Sequence, residues 1–338
     1  MWRIYRSTLW NIRKNTAGSI FLIILLLCVA FCILLLDSHR PTVTVKNRTT
    51  STALADPGLF FVDPKSVQRQ YTISPKPCEP GIFLVVAVIT APRNAGIRAM
   101  IRRTWGSLAG SSCQTRMLFM LGRVHSTTTQ QLLEEEAREH GDLLQSSQFD
   151  DTFRSSTIKT LHLYQWCAAH CSTSTFIVRV DDDAYLNIPK IYDILKDQPP
   201  DAFYGHVYKQ EILNDEWFPQ RNPSEKYYSP REEYSHDRYP VYIWGFLIIA
   251  PTALLGKILH ASQFIPYSFI DDIYVTGLVA NYTGIPLRHI AGITKKTKTI
   301  SLAQPCLKNK HTAIHKMGQK DLYVLWNAEC AGSRNSCN

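Results

Sequence analysis

Runs of apolar and polar positions divide this chain into parts before any single residue is considered. Gly18 to Leu36 reads GSIFLIILLLCVAFCILLL and holds no charged residue. As a helix rising 1.5 Å per residue, this stretch would be roughly 28 Å long, close to the thickness of a bilayer core. From Asp37 to about Pro80 the pattern turns to Thr and Ser (Thr42, Thr44, Thr49, Thr50, Ser51, Thr52) and then to prolines (Pro57, Pro64, Pro75, Pro77, Pro80). A segment of that texture cannot bury a core and reads as a stem. Beyond it, Ile82–Ile89 (IFLVVAVI) is continuously apolar, which predicts a strand buried on both faces of a parallel sheet. The pattern then predicts a helix over Ala95–Trp105, a strand over Met117–Leu121, and a helix over Thr127–His140 stopped by Gly141. A helix over Ser156–His170 and a third buried strand over Phe176–Val180 follow. Strand and helix alternating from 82 to 180 predict an α/β domain with a mostly parallel central sheet, whose ligands bind at the carboxyl ends of the strands.

Charge places the apolar run in context. The chain of 338 residues carries a formal net charge of +9, and Arg3, Arg6, Arg13 and Lys14 supply four of those charges with no acid among them. The remainder has no basic excess large enough to suggest nucleic-acid binding. A cationic flank before an uncharged run obeys the positive-inside rule, so residues 1–17 read as a cytoplasmic tail and 18–36 as an uncleaved transmembrane signal anchor. A cleaved signal peptide is the competing reading, but its apolar region is shorter and ends at small residues, unlike Leu34-Leu35-Leu36-Asp37. The expectation is a single-pass type II membrane protein of the secretory pathway, with a lumenal stem over 37–80 and a folded domain over 81–338. Glycosylation triplets at Asn47 and Asn281 suit that compartment.

An apolar content of 45% with 11% aromatic residues excludes wholesale disorder. Nine cysteines are too few for a disulfide scaffold in a chain this long. Seven of them (Cys78, Cys113, Cys167, Cys171, Cys306, Cys330, Cys337) follow the anchor, and an odd number leaves one thiol free or intermolecular. Cys167 and Cys171 with His162 and His170 could form a metal cluster; a helical pattern in an oxidising compartment makes that the lesser reading.

The chemistry concentrates where the third strand ends, in FIVRVDDDAYLN. An acidic triplet is commonly a solvated turn or a helix cap. Here apolar residues frame Asp181, Asp182 and Asp183 on both sides, and carboxylates held this close are costly without a cation. Hard oxygen ligands suit Mn²⁺ or Mg²⁺, ions typically shared with substrate phosphates, so a nucleotide diphosphate held through a divalent cation is the functional reading.

An ordered set of further motifs resembles the family 31 glycosyltransferases, the Golgi β1,3-galactosyltransferases and β1,3-N-acetylglucosaminyltransferases, over roughly 82 to 328. The set comprises IRAMIRRTWG (Ile97 to Gly106), FMLG (Phe119 to Gly122), HGDLL (His140 to Leu144), FDDTF with IKT (Phe149 to Thr160), VDDDAYLN, YPVYIWG (Tyr239 to Gly245), IDDIYVTG (Ile270 to Gly277) and the tail AIHKMGQKDLYVLWN. The chain departs from the family where many members carry Cys and a second small residue after Tyr-Pro-x-Tyr: it has Ile243, Trp244, Phe246 and Leu247. Asp271 stands for the Glu common in galactosyltransferases and is closer to the Asp-Asp form of N-acetylglucosaminyltransferases, and an extra Thr276 precedes the glycine.

The resemblance implies a Rossmann-like, GT-A-type nucleotide-sugar-binding domain and an inverting β1,3-hexosyltransferase in the Golgi membrane. It would move galactose, placed ahead of N-acetylglucosamine, from a UDP-sugar to a glycan hydroxyl on a glycoprotein or glycolipid. Asp183 would be the main ligand of Mn²⁺ or another divalent cation and His315 the second, unless His315 is only a surface residue of a Lys-rich segment. Asp181 and Asp182 would orient ribose and metal. Asp272 would be the general base with Asp271 as runner-up, against a plain capping role for a helix starting at Ile273. Arg98 and Arg102, four apart on one helix face, would approach uridine or phosphate, and Lys159 would contact the donor; the plain alternative for all three is a surface role. Trp105 reads as core, while Tyr242 and Trp244 could be a sugar platform or core packing. The rival from another class is a lumenal carbohydrate-binding or scaffolding protein that keeps the fold without catalysis.

Overall fold

A computed structural model describes residues 70–110, 114–208, 218–296, 301–304 and 306–328. The tail, the Gly18–Leu36 run, Asn47 and most of the stem lie outside these residues. No helix among the described residues is long and apolar enough to cross a membrane.

The apolar run after the stem forms β2 (Leu84–Ile89), preceded by a short β1 (Tyr71–Ile73). The strands β3 (Thr115–Arg123), β4 (Leu143–Asp150) and β5 (Phe176–Asp181) follow, with α1 (Ala95–Arg103), α2 (Thr127–His140) and α3 (Ser156–His170) between them. Ser126 caps α2 through its side chain, and Gly141 ends it in the left-handed conformation, as the sequence predicts. Further on come β6 (Ala184–Leu186), α4 (Ile188–Leu195), β7 (Phe203–Val207), β8 (Ile243–Pro251), α5 (Leu255–Ser262), β9 (Leu287–His289), β10 (Ile293–Lys295), β11 (Ala313–His315) and α6 (Gln319–Asn327).

The main sheet runs β1-β4-β3-β2-β5-β8-β7-β9, and β10-β11-β6 form a second, smaller sheet. Strands β4, β3, β2 and β5 are parallel to their neighbours, but β1 and β8 run antiparallel to the block they flank. The central sheet is therefore mixed, with four of its seven pairings parallel. Alternating strand and helix enforces parallel pairing only up to residue 180, and the strands beyond it enter by other connections. Both faces of the block are buried by period-2 alternation along β2. Val86 and Val88 pack with Ile101, Trp105, Phe119 and Val178, whereas Val85 and Ala87 pack with Leu118, Met120, Ile177 and the Leu163–Trp166 part of α3.

β3 lies on one side of β2 and β5 on the other, so the chain changes direction between β2 and β5, where Ile89 pairs with Asp181. A crevice opens at such a switch point outside the strand ends.

Residues 70–80, read from sequence as the end of the stem, belong to the folded unit. Tyr71 is in the core, Ser74 Oγ accepts a hydrogen bond from Trp166 Nε1 at 2.9 Å, and Cys78 forms a disulfide with Cys171. Closing a loop of 93 residues removes unfolded-chain entropy worth about 4–5 kcal/mol. With Cys171 in a disulfide, the metal cluster weighed for Cys167, Cys171, His162 and His170 does not form. Cys167 is a buried free thiol, and Cys306 is also disulfide-bonded.

His162 is buried in α3, and burial pushes its imidazole down to about 4. The unfolded chain, with a histidine near 6.5, then binds the proton that the folded chain refuses. Stability from this residue is complete above about pH 6.5 and falls by about 3 kcal/mol as pH drops to about 4. Urea unfolding across that range should therefore show a pH slope that His162→Gln flattens by this amount; equal slopes in both proteins would refute the assignment.

Candidate active site

The crevice between β2 and β5 is a cleft of about 1060 Å³ lined by residues of both strand ends, of β8, of the segment after Ile270 and of the His315 strand. One buried cation organises it. Arg179 interrupts the apolar run of β5, is 3% exposed, and carries its guanidinium among carboxylates. Nη1 donates to Asp181 Oδ1 at 2.6 Å and to the Gly245 carbonyl, and Nη2 pairs with Asp271 Oδ2 at 2.8 Å. Burial opposes this charge, but Asp181, Asp271 and Asp272 outweigh it and raise the Arg179 pKa further. A guanidinium is suited to the position because it stays charged and donates in several directions.

Asp181, Asp182 and Asp183 part at the end of β5. Asp182 Oδ2 accepts from Thr90 Oγ1 at 2.6 Å and from Asn94 Nδ2 at 2.8 Å, which ties it to the loop after β2. Asp183 and Asp181 instead face His315, whose Nε2 lies 3.2 Å from Asp183 Oδ1 and 3.8 Å from Asp181 Oδ2. Sheet pairing brings this remote residue in: β11 runs antiparallel to β6 with His315 opposite Ala184, and Met317 N–H donates to the Asp183 carbonyl at 2.7 Å.

Ligand atoms of Asp181, Asp183 and His315 lie within 4.8 Å of one another. Two hard carboxylates and one imidazole are a donor set that fits Mn²⁺ or a similar divalent ion. The charges agree with that fit. Burial, opposed by Arg179 and reinforced by Asp271 and Asp183, raises the Asp181 carboxyl. Asp183 is raised by burial too, yet the hydrogen bond and charge of His315 prevail and hold it below its ordinary value.

Across the cleft the two acids of IDDIYVTG diverge. Asp271, 6% exposed, lines the cleft, accepts from Thr160 Oγ1 at 2.8 Å and pairs with Arg179 through the same oxygen. Asp272 lines the cleft: Oδ2 accepts from Gly245 N–H at 2.9 Å and Oδ1 from Ile273 N–H at 2.8 Å. It does cap the helical segment Ile273–Val279, as the plain reading expects, while its carboxyl is raised by burial and by the Asp271 charge. A Cβ on Gly245 would stand 2.7 Å from Asp272 Oδ2, so only glycine admits this approach. The extra Thr276 is absorbed by π-helical winding over Ile273–Val279. Its hydroxyl donates to the Asp272 carbonyl at 2.7 Å and accepts from Ile243 N–H at 2.9 Å, locking the segment to β8.

Arg98 and Arg102 are placed differently from the sequence expectation. Arg98 is fully buried, forks onto Glu136 at 2.8 and 2.6 Å, and donates to the Ala91 and Pro92 carbonyls. Arg102 pairs with Asp142 and Glu136. Neither lines the cleft; they fasten α1 to α2 and brace the loop after β2. Lys159 does line it, 4% exposed, with Nζ donating to the Thr90 carbonyl at 2.9 Å and to both oxygens of Asp151. Burial lowers its pKa, and Asp151 offsets part of that effect. Trp105 is core, as expected. Asn281 is exposed at the start of the glycosylation triplet.

Residues 97–291 match the family described as Galactosyltransferase, more than half of the chain. The chain belongs to the galactosyltransferase family. As a hexosyltransferase of this family, it is 30% identical over 265 residues to human N-acetyllactosaminide beta-1,3-N-acetylglucosaminyltransferase 4, covering 75% of this chain and 67% of that protein. It is 32% identical over 264 residues to human acetylgalactosaminyl-O-glycosyl-glycoprotein beta-1,3-N-acetylglucosaminyltransferase, at 73% and 66% coverage. Lactosylceramide 1,3-N-acetyl-beta-D-glucosaminyltransferase B of Xenopus laevis is 32% identical over 258 residues, at 72% and 65%. The chain thus spans about two thirds of the length of these galactosyltransferase-family relatives.

Arg179 is the site residue that sequence reading passes over, although a lone charge between Val178 and Val180 in a buried strand is the signal for it. Arg179→Met should leave Asp181 and Asp271 without their cation and destabilise the protein by about 3–5 kcal/mol. Chemical denaturation of the full-length protein checks this; an unchanged midpoint would show that the guanidinium is not what neutralises the cluster.

Proposed function

We propose that the chain is an inverting, UDP-sugar-dependent β1,3-glycosyltransferase that carries N-acetylglucosamine to a glycan hydroxyl. The observation that carries this reading is one cleft with two opposed poles: the Asp181, Asp183 and His315 cradle on one wall and the half-buried, raised carboxyl of Asp272 on another. A Mn²⁺ ion held by Asp183, His315 and Asp181 would act as a Lewis acid toward the diphosphate of the donor. Asp272 takes the proton of the acceptor hydroxyl as its oxygen bonds to the anomeric carbon. The bond from that carbon to the UDP oxygen breaks on the opposite face, so an α-linked donor gives a β-linked product. No acid is needed for the leaving group, because UDP departs as a stable anion.

Choice of sugar rests on the relatives. All three named above are β1,3-N-acetylglucosaminyltransferases, and Asp271-Asp272 matches the Asp-Asp form of that group. This puts N-acetylglucosamine ahead of galactose, the reverse of the order expected from the resemblance as a whole. Phe153 and Tyr227, 45% and 42% exposed, sit edge to face at 5.4 Å on the cleft wall and offer apolar rings to an acceptor sugar. Their names suggest glycoprotein or glycolipid acceptors for the relatives, and we extend that class to this chain. The basic tail and the Gly18–Leu36 run support a type II anchor in the Golgi membrane, with the disulfides suited to a lumenal domain.

Release of UDP by the full-length protein in detergent, with Mn²⁺ and simple β-galactosides, should depend on acceptor, favour UDP-N-acetylglucosamine over UDP-galactose and cease with EDTA. Asp183→Ala should abolish both Mn²⁺-dependent UDP binding and transfer; glycan binding with no transfer by the unmutated protein would favour the carbohydrate-binding rival. Asp272→Asn should lower kcat by about 10²–10⁴-fold while leaving UDP affinity unchanged. Near-normal kcat in that variant would remove Asp272 from the role of base.

A further inference from the structure

His315 is held in an unusual way. A metal-binding histidine commonly donates its remote ring N–H to a carboxylate or carbonyl, which fixes both the ring plane and the tautomer. His315 Nε2 faces Asp183 and Asp181, but its Nδ1 is buried with no hydrogen-bond partner among the described residues. The ring is fixed by its faces instead. Phe246 of β8 stacks on it with centroids 4.5 Å apart and planes within 5°. Trp244, two residues earlier on the same face of β8, meets His315 edge to face at 5.4 Å and 82°, and meets Phe246 at 4.6 Å and 77°.

We propose that Phe246 and Trp244 are positioning residues that set the plane of the His315 imidazole toward the cation cradle, replacing the missing hydrogen bond with ring packing. The proposal rests on the reading that His315 holds a divalent cation. Pairing of β11 with β6 fixes the backbone of His315, but leaves rotation about its side-chain bonds open. A parallel ring at stacking distance opposes tilting, and the perpendicular contact with Trp244 confines the imidazole from a second direction. Phe246 is itself anchored, 2% exposed in the core that contains Val180 and Leu247, so the stack is built on a rigid strand. Trp244 and Phe246 are also among the positions where the chain departs from the motif it resembles. The cradle is thereby pre-organised, since an imidazole already in its binding plane has little rotational freedom left to lose.

The test is binding of Mn²⁺ alone to the full-length protein in detergent, read from the EPR signal of the free ion. Phe246→Leu keeps an apolar side chain but loses the stack, and should weaken Mn²⁺ binding by about tenfold, while Phe246→Tyr, which restores a ring, stays within about twofold of the unmutated protein. Thermal melts of the ion-free proteins are recorded in parallel. If Phe246→Leu has no cooperative melt, Trp244→Leu at the half-buried edge position replaces it, with a loss of about threefold or more expected. Unmutated affinity in a cooperatively folded Phe246→Leu protein, alongside weakened binding in His315→Ala, overturns the positioning role alone. Unmutated affinity in His315→Ala overturns the ligand assignment beneath it, and the positioning role with it.

Discussion

The cleft depends on burying one positive charge where three carboxylates need it. Arg179 reaches Asp181 on its own strand, the Gly245 carbonyl on β8 and Asp271 at the head of the π-helical segment. These belong to three separate stretches of chain. Burying an ion pair gains little stability by comparison with an apolar replacement, because desolvation consumes most of the attraction. The gain is in placement. Asp181 is presented to the cation cradle and Gly245 to Asp272 by a single guanidinium, whose planar fork tolerates only one arrangement of its partners.

The motifs that identify the family resolve into a second network around the loop after β2. Gly122 N–H donates to Asp151 Oδ2 at 2.7 Å, Asp151 receives both remaining contacts from Lys159, Lys159 holds the Thr90 carbonyl, and Thr90 Oγ1 donates to Asp182. FMLG, FDDTF, IKT and the Asp triplet are thus one connected structure rather than four separate signatures. A Cβ on Gly122 would lie 2.7 Å from the Phe149 ring and 3.0 Å from the Asp151 backbone, which explains the glycine. Arg98, a donor contact in what the resemblance implies, instead holds the Ala91 and Pro92 carbonyls of the same loop.

The local pattern made much of this readable. Thr127–His140 and Ser156–His170 are found at the predicted limits, the first marked directly by the Ser126 cap and the Gly141 stop. The Asp triplet was legible as a candidate from its apolar frame, and Asp272 and His315 from the resemblance, since a cap or a surface histidine accounts for either residue type equally well. β4 was not legible: Gln145 and Ser146 interrupt its apolar run, and only the tertiary contacts of Gln145 with Gly122 and Gln130 show why they are buried. The orientations of Arg98, Arg102 and Asp182 were equally out of reach, because a helix face or a turn says which residues are neighbours and not which partner lies opposite. Glu136, Asp142, Thr90 and Asn94 decide those orientations, all of them distant in sequence.

Asp271 and Asp272 show how adjacent acids of one type acquire different tasks. Both line the cleft, but Asp271 is engaged by Thr160 and Arg179 whereas Asp272 is held by the backbone N–H groups of Gly245 and Ile273. Asp271 then acts on Asp272: burial comes first, and the Asp271 charge adds to it in raising the Asp272 carboxyl toward the range useful to a base at neutral pH. Arg179 and the N–H groups of Ile273 and Gly245 pull the other way, so Asp272 remains able to ionise within its pocket. The Arg179 ion pair and the raised carboxyl of Asp272 are therefore coupled through a single peptide unit. The widened turn at Thr276 keeps that unit fixed against β8 by satisfying the Ile243 N–H and the Asp272 carbonyl together.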